Sequence, residues 1–159
     1  MKCVITGNPK KGLGKAFADH FSSKGYEIVF IRSEDDETRV AEKIQNCDVF
    51  INNAFQNNDG QAKMLVALMP FVKKTIVVGS MASIHPDMKN FAYTQNKRTL
   101  QNVFYNKCSL IKESGPHQVL FSITGSAYKD TKLIMQTVDF WLEHPEIMEF
   151  KFGDKSAAK

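Results

Sequence analysis

Residues Lys2–Gly14 read KCVITGNPKKGLG: a short apolar run ending at Thr6, then a turn carrying Gly7, Gly12 and Gly14, with a helix starting inside it. The run is short and rich in β-branched residues, which makes it a strand. Glycines at a strand-to-helix turn let the backbone approach a pyrophosphate closely. The helix N-terminus offers that anion free N–H groups and the positive end of a dipole. The stretch therefore predicts a dinucleotide-phosphate loop, with Gly7, Asn8, Lys11, Gly12, Leu13 and Gly14 nearest the ligand. The helix continues over Leu13–Lys24, where Leu13, Phe17 and Phe21 recur every fourth residue and Gly25 ends it as a left-handed cap.

Outward from this unit the same alternation repeats. Further strands are predicted at Tyr26–Ile31, Cys47–Ile51, Thr75–Gly79, Gln118–Ile123 and Ile147–Phe152. Helices fall between them at Asp36–Asn46, Gln61–Val72, Asn90–Glu113, closed by Gly115-Pro116, and Thr131–Glu143, closed by Pro145. Apolar strands alternating with helical patterns predict an α/β protein: a Rossmann-like, doubly wound parallel sheet flanked by helices. With 159 residues and no repeat or linker, one reduced domain over residues 1–152 is expected, followed by a flexible tail, 153–159.

Composition narrows the function classes. The 21 basic and 17 acidic residues are scattered, giving +4 without the tracts that mark nucleic-acid or membrane partners. Cys3, Cys47 and Cys108 are odd in number and far apart, and His20, His85, His117 and His144 are isolated, so neither a disulfide framework nor a metal site is predicted. No apolar run reaches the length of a membrane span, and no targeting segment is read at the start. The expectation is a reduced, cytoplasmic protein.

Three further places carry chemistry. After the second strand come Arg32 and Ser33, where an acidic side chain would take the adenine-ribose hydroxyls of NAD. A guanidinium suits a 2′-phosphate instead, and Lys11 adds charge, which favours NADP(H) over NAD(H). Glu34, Asp35 and Asp36 follow closely enough to supply the missing acid. After the third strand, Ile51-Asn52-Asn53-Ala54-Phe55 places amides at a buried strand end, where they can tie backbone groups together or border a cofactor. Lastly, Ser80 leaves the fourth strand, and thirteen residues later come Tyr93 and Lys97. Four residues apart on a helix, phenol and amine share one face. A nearby cation favours the phenolate and brings a phenol of ordinary pKa about 10 toward the neutral range.

These segments together resemble the short-chain dehydrogenase/reductase family: Thr6–Gly14 is similar to its T-G-x-x-x-G-x-G loop with one residue more, Asn52-Asn53-Ala54-Phe55 to its N-N-A-G, and Ser80, Tyr93 and Lys97 to its Ser-Tyr-Lys triad. The resemblance implies NADP(H)-dependent interconversion of a small carbonyl and its alcohol. Tyr93 would move the proton, Lys97 would hold the nicotinamide-ribose hydroxyls and lower the Tyr93 pKa, and Ser80 would orient the substrate oxygen. Asn53 and Ala54, with Tyr93 and Lys97, would contact the cofactor, and Asn57 stands nearest the family's relay asparagine. The chain is shorter than most of that family. One strand and one helix are expected to be missing between Arg32 and Asp48, and the substrate cover is expected to shrink to a few residues around Tyr128. Met81, His85, Phe91 and Tyr128 are candidate pocket residues. Leu100, Val103, Phe104, Cys108 and Leu110 leave room for a two-fold dimer. The rival reading is a non-catalytic dinucleotide-binding module that senses redox state or binds a partner. Sugar-nucleotide chemistry ranks last, since no extra C-terminal domain to hold such a substrate is expected.

Overall fold

The computed structural model describes residues 1–54, 58–83, 90–108, 117–123 and 127–153. Phe55, Asn57, His85, Leu110, Gly115-Pro116 and the tail beyond Gly153 lie outside the described residues, as does the Cys108 side chain. Among the described residues, six strands and five α-helices follow one another: β1 Lys2–Thr6, α1 Gly12–Ser23, β2 Glu27–Ile31, α2 Glu37–Ile44, β3 Val49–Asn52, α3 Gly60–Leu68, β4 Lys74–Ser80, α4 Phe91–Cys108, β5 His117–Ile123, α5 Thr131–Glu143 and β6 Glu149–Phe152. All strand pairs are parallel, in the order β2-β1-β3-β4-β5-β6. The expected doubly wound sheet is what forms. Strand β2 is its edge, where the sequence leaves room for one helix and no further strand.

Alternating side chains feed two layers. Cys3, Ile5, Val49, Ile51, Val78 and Phe121 point to one face and pack with Phe17 and Phe21 of α1 and Ile134, Val138 and Trp141 of α5. Trp141 is fully buried and its indole N–H donates to the Ile147 carbonyl at 3.1 Å, so the ring is buried with its polar handle satisfied. On the opposite face, Val4 and Phe50 meet Ile44 and Leu68, and Val77 and Leu120 meet Leu65, Leu100 and Phe104.

Two expectations are corrected. The apolar run Gln61–Val72 is not one helix: α3 ends at Leu68, and Pro70 leaves only a 3₁₀ turn over Met69–Phe71. On the α4 face expected to be spare, Leu100 and Phe104 are instead fully buried against α3 and the sheet, and Val103 packs partly buried beside them.

Parallel strands bring their carboxyl ends to one edge. The sheet order reverses direction between β1 and β3, opening a crevice there. The registers Thr6↔Ile31 and Thr6↔Asn52 put Gly7, Arg32 and Asn53 just beyond adjacent strand ends, and Ser80 pairs with Ile123 farther along the same edge.

Candidate active site

The β1–α1 turn needs its glycines. Gly7 (φ +137°) and Gly12 (φ +62°) lie where L side chains are strained. A Cβ on Gly14 would come within 2.6 Å of the Asn8 carbonyl oxygen, so the first helical turn packs directly on the loop. The Asn8 side chain is turned inward on the loop, accepting from Lys10 N–H at 2.8 Å. Leu13 is buried in the core, and Lys11 begins α1 in an extended conformation. Asp36 caps α2 through Arg39 N–H, and Asp130 caps α5 through Leu133 N–H, whereas no side chain caps α1 and its first turn holds no acid. The N-terminal amides of α1 thus keep their capacity to bind an anion.

Beside this loop, Thr6 knits β1 to β3. Its hydroxyl accepts from the N–H of Asn53 at 2.9 Å and of Ala54 at 3.1 Å, and the Asn53 amide donates to the Thr6 carbonyl at 3.3 Å. Asn53 is thereby tied to the strand end, and its amide also crowds Gly7, where a Cβ would sit 2.6 Å away. Asn52 faces the other way, donating to the backbone carbonyl of Gln61 at 2.9 Å.

On the outer side, Arg32 is largely exposed and its guanidinium lies 3.7 Å from Glu34. Ser33 is exposed, with its hydroxyl 3.3 Å from the Glu34 carboxylate. The neighbouring acids have other partners: Asp35 accepts from Arg32 N–H at 2.7 Å and pairs with Lys43, and Asp36 caps α2. The Lys43 hydrogen bond, with that from Arg32, holds the Asp35 carboxyl below its ordinary pKa.

Ser80 is almost wholly buried at the end of β4. The 3₁₀ turn Met81–Ser83 folds back over it, with Ala82 N–H donating to Ser80 Oγ at 3.2 Å and Ser83 Oγ donating to the Ser80 carbonyl at 2.7 Å. Arg98 of α4 then holds the turn through the Ser83 carbonyl at 3.0 Å. On the same helix, Lys97 Nζ lies 5.7 Å from the centroid of the Tyr93 ring. Tyr128 completes the cluster. Its phenol donates to the Gly79 carbonyl at 3.0 Å and interacts with the side chains of Tyr93 and Ser80. Tyr93 and Ser80 are thus linked through Tyr128. Burial first, then Tyr93, pushes the Tyr128 phenol well above its ordinary range, so it stays protonated. Of the other pocket candidates, Met81 is half-buried in the turn and Phe91 is exposed at the start of α4.

Two participants were not singled out in the sequence. Gln61, buried in the first turn of α3, accepts from Lys97 Nζ at 2.8 Å. Asn96 accepts from Asp59 N–H at 2.9 Å, fixing the start of α3 against α4. A signal for Gln61 exists: it shares its helix face with Leu65 and Leu68, so an amide is aligned with buried leucines. Lys97 is 97% removed from solvent and, among the described residues, makes no ion pair. Burial without a counter-charge draws its amine down to about 8.

A cleft of about 830 Å³ opens elsewhere, between α2 and α3, lined by Val40, Ile44, Met64, Leu68 and Phe71 among others. It contains neither a triad member nor a residue of the glycine loop. The chemistry-bearing side chains gather instead at the carboxyl edge of the sheet.

A parallel sheet with a glycine turn at its switch point defines the dinucleotide-binding class of α/β folds. No protein-family model and no curated protein matches the chain. Solved structures do. Serine dehydrogenase from Escherichia coli is similar with a TM-score of 0.75 and 16% identity, the match spanning 100% of each chain. A short-chain dehydrogenase from Sphingobium yanoikuyae in complex with NADPH has a TM-score of 0.72 at 12% identity over 95% of this chain and 87% of that one. 4-Hydroxyisoleucine dehydrogenase complexed with NADH has a TM-score of 0.72 at 13% identity over 100% of both. The chain has the short-chain dehydrogenase/reductase fold. Among the described residues, no helix is long and apolar enough to cross a membrane.

Proposed function

We propose that this chain is an oxidoreductase of the short-chain dehydrogenase/reductase family, formed as one domain over residues 1–152, that interconverts a small carbonyl and its alcohol with NADP(H) in preference to NAD(H). The observation that carries the reading is the cluster at the sheet edge: Lys97 Nζ lies 5.7 Å from the Tyr93 ring on α4, and Tyr128, bonded to the β4 carbonyl next to Ser80, interacts with both Tyr93 and Ser80. The residues present suit a dinucleotide. Uncapped α1 amides, Gly7, Gly12 and the Gly14–Asn8 packing would hold its pyrophosphate, with Lys11 adjacent, and Ala54 and Asn53 would border it. Similar folds have been solved with NADPH and with NADH, which supports a nicotinamide cofactor of either kind. Preference for NADP(H) is supported by the engagement of Asp35 and Asp36 within their own loop and helix, while the Arg32 fork, beside Ser33, stays largely exposed for a 2′-phosphate.

A nicotinamide bound here would supply or accept the hydride. Tyr93 would give its proton to the carbonyl oxygen, or take it back in the reverse direction, and Ser80 would hold that oxygen by a second hydrogen bond. Lys97 would direct its remaining N–H toward the cofactor ribose and keep positive charge beside the Tyr93 ring. Asn57 would extend the proton path beyond the lysine. Steady-state assay of NADPH and NADH oxidation against a panel of small aldehydes and ketones tests the assignment. Carbonyl-dependent oxidation, faster with NADPH, is expected. NADPH binding with no turnover would instead favour the dinucleotide-binding module.

The Tyr128 phenol lies beside the residues assigned to the substrate oxygen. Tyr128→Phe removes a hydroxyl that competes with substrate for Ser80 and Tyr93 and is expected to lower KM by about three- to tenfold with kcat changed by about twofold or less. Separate measurement of kcat and KM checks this, and a large fall in kcat would count against it.

A further inference from the structure

Gln61 sits where α3, β3, β4 and α4 meet. Its Nε2 donates to the Asn52 carbonyl at 2.8 Å and to the Val78 carbonyl at 3.0 Å, while its Oε1 accepts from Lys97 Nζ at 2.8 Å. Both side chains are almost wholly buried, 4% and 3% exposed. These contacts admit one orientation of the amide. Turned over, it would set an NH₂ group against an ammonium and an oxygen against two carbonyl oxygens. Lys97 donates a second time, to the Val78 carbonyl at 3.1 Å, which leaves one of its three N–H groups for other work.

Among the described residues, every group facing the ammonium is neutral. Gln61 faces it from α3, the Val78 carbonyl from β4, and the Tyr93 ring from its own helix at 5.7 Å. A carboxylate at position 61 could make the same contact with Lys97 but would also supply a counter-charge. An apolar residue there would leave two strand carbonyls without this donor and the ammonium without one of its two acceptors.

We propose that Gln61 is a positioning residue for the oxidoreductase reaction, whose neutral amide holds the Lys97 ammonium in place without neutralising it. The role rests on the function proposed above. Left without a counter-ion, the lysine both carries charge at neutral pH and can release its proton in mildly alkaline solution, in step with the buried drop of its amine to about 8. Its third N–H keeps a fixed direction because the other two are held.

The test is an NMR titration of lysine Cε and Nζ signals in the ligand-free full-length protein, with Lys97 assigned by its loss in Lys97→Arg, together with the pH profile of NADPH-linked turnover. In Gln61→Glu the Lys97 midpoint is expected to rise by about one pH unit or more, a tenfold or greater gain in proton affinity, and the alkaline limb of kcat/KM to move with it. A merely structural amide would change stability and leave the midpoint where it was. That result overturns the proposal. If Gln61→Glu does not fold, Gln61→Asn carries the same test: the shorter amide withdraws an acceptor from a lysine that stays buried, so the midpoint is expected to fall, and an unchanged midpoint overturns the role. Because the titration needs neither substrate nor cofactor, absence of turnover in every protein would tell against the oxidoreductase reading alone, and a midpoint indifferent to position 61 against Gln61 alone.

Discussion

Tyr93→Phe is expected to reduce kcat by about 10²–10⁴-fold, the range over which a positioned acid or base contributes. The substitution removes one oxygen and keeps the ring. That ring lies in the first turn of α4, where it faces Lys97 Nζ at 5.7 Å, so the packing of the helix on α3 and the sheet should survive. NADPH affinity should therefore change far less than turnover, because the groups expected to grip the cofactor are the glycine turn, Arg32 and Lys97. The measurement pairs steady-state kinetics with fluorescence titration of NADPH and a thermal melt of both proteins. Equal turnover in the two would mean that the transferred proton does not pass through this phenol, and the Ser80-Tyr93-Lys97 assignment would fall. Loss of turnover accompanied by loss of folding would remove the distinction, which is why the melt belongs in the same experiment.

What could be read in advance follows from how far apart the interacting residues lie. Strands and helices were legible because their signals are local: β1 and α5 begin and end where the apolar pattern predicts, and Gly25 takes the left-handed conformation its place after α1 requires. Boundaries moved where a side chain or turn competes with the ladder. Cys47 was expected to open the third strand, but its N–H closes a turn onto Ile44 and its thiol donates to the Val49 carbonyl, so pairing begins two residues later. The same burial raises the Cys47 thiol to about 11. On α4, helical spacing shows that Leu100 and Phe104 share a side but not what that side meets, and α3 packs against it. In the candidate site, Ser80, Tyr93 and Lys97 were visible through spacing along one strand end and one helix. Gln61 was not, since its partner lies 36 residues away and only the fold brings α3 against α4. Asn53 was left between two roles, and its hydrogen bond to Thr6 supports the structural one.

Lys97→Met is expected to separate activity from stability. A methionine of similar length fills the same tunnel between α3 and β4 but offers no N–H to a ribose and no charge to Tyr93, so kcat/KM should fall by about 10²-fold or more while NADPH binding also weakens. Stability should go the other way. Burial draws the Lys97 amine from 10.5 to about 8. In the unfolded chain the amine keeps its proton up to pH 10.5. The penalty for burying the ammonium is therefore complete below pH 8 and is relieved as pH rises from 8 toward 10.5, over which the unfolded state binds more protons than the folded one. At 1.36 kcal/mol per pKa unit the penalty is about 3 kcal/mol. Methionine escapes it but leaves Gln61 Oε1 without its donor, a loss of about 1–2 kcal/mol. Near pH 7 the variant should thus be more stable than the wild type by about 1–2 kcal/mol, and the gap should close and then reverse in sign as pH climbs through the window. The buried groups Cys3, Cys47 and Tyr128, whose pKa values are raised, lower stability at alkaline pH, but they do so in both proteins and cancel in the difference. Urea midpoints of the two proteins at pH 7, 8 and 9 read that difference directly. Parallel curves would mean that Lys97 is solvated enough to keep its ordinary proton affinity, and the account of an unpaired ammonium held only by amide and carbonyl oxygens would have to be abandoned.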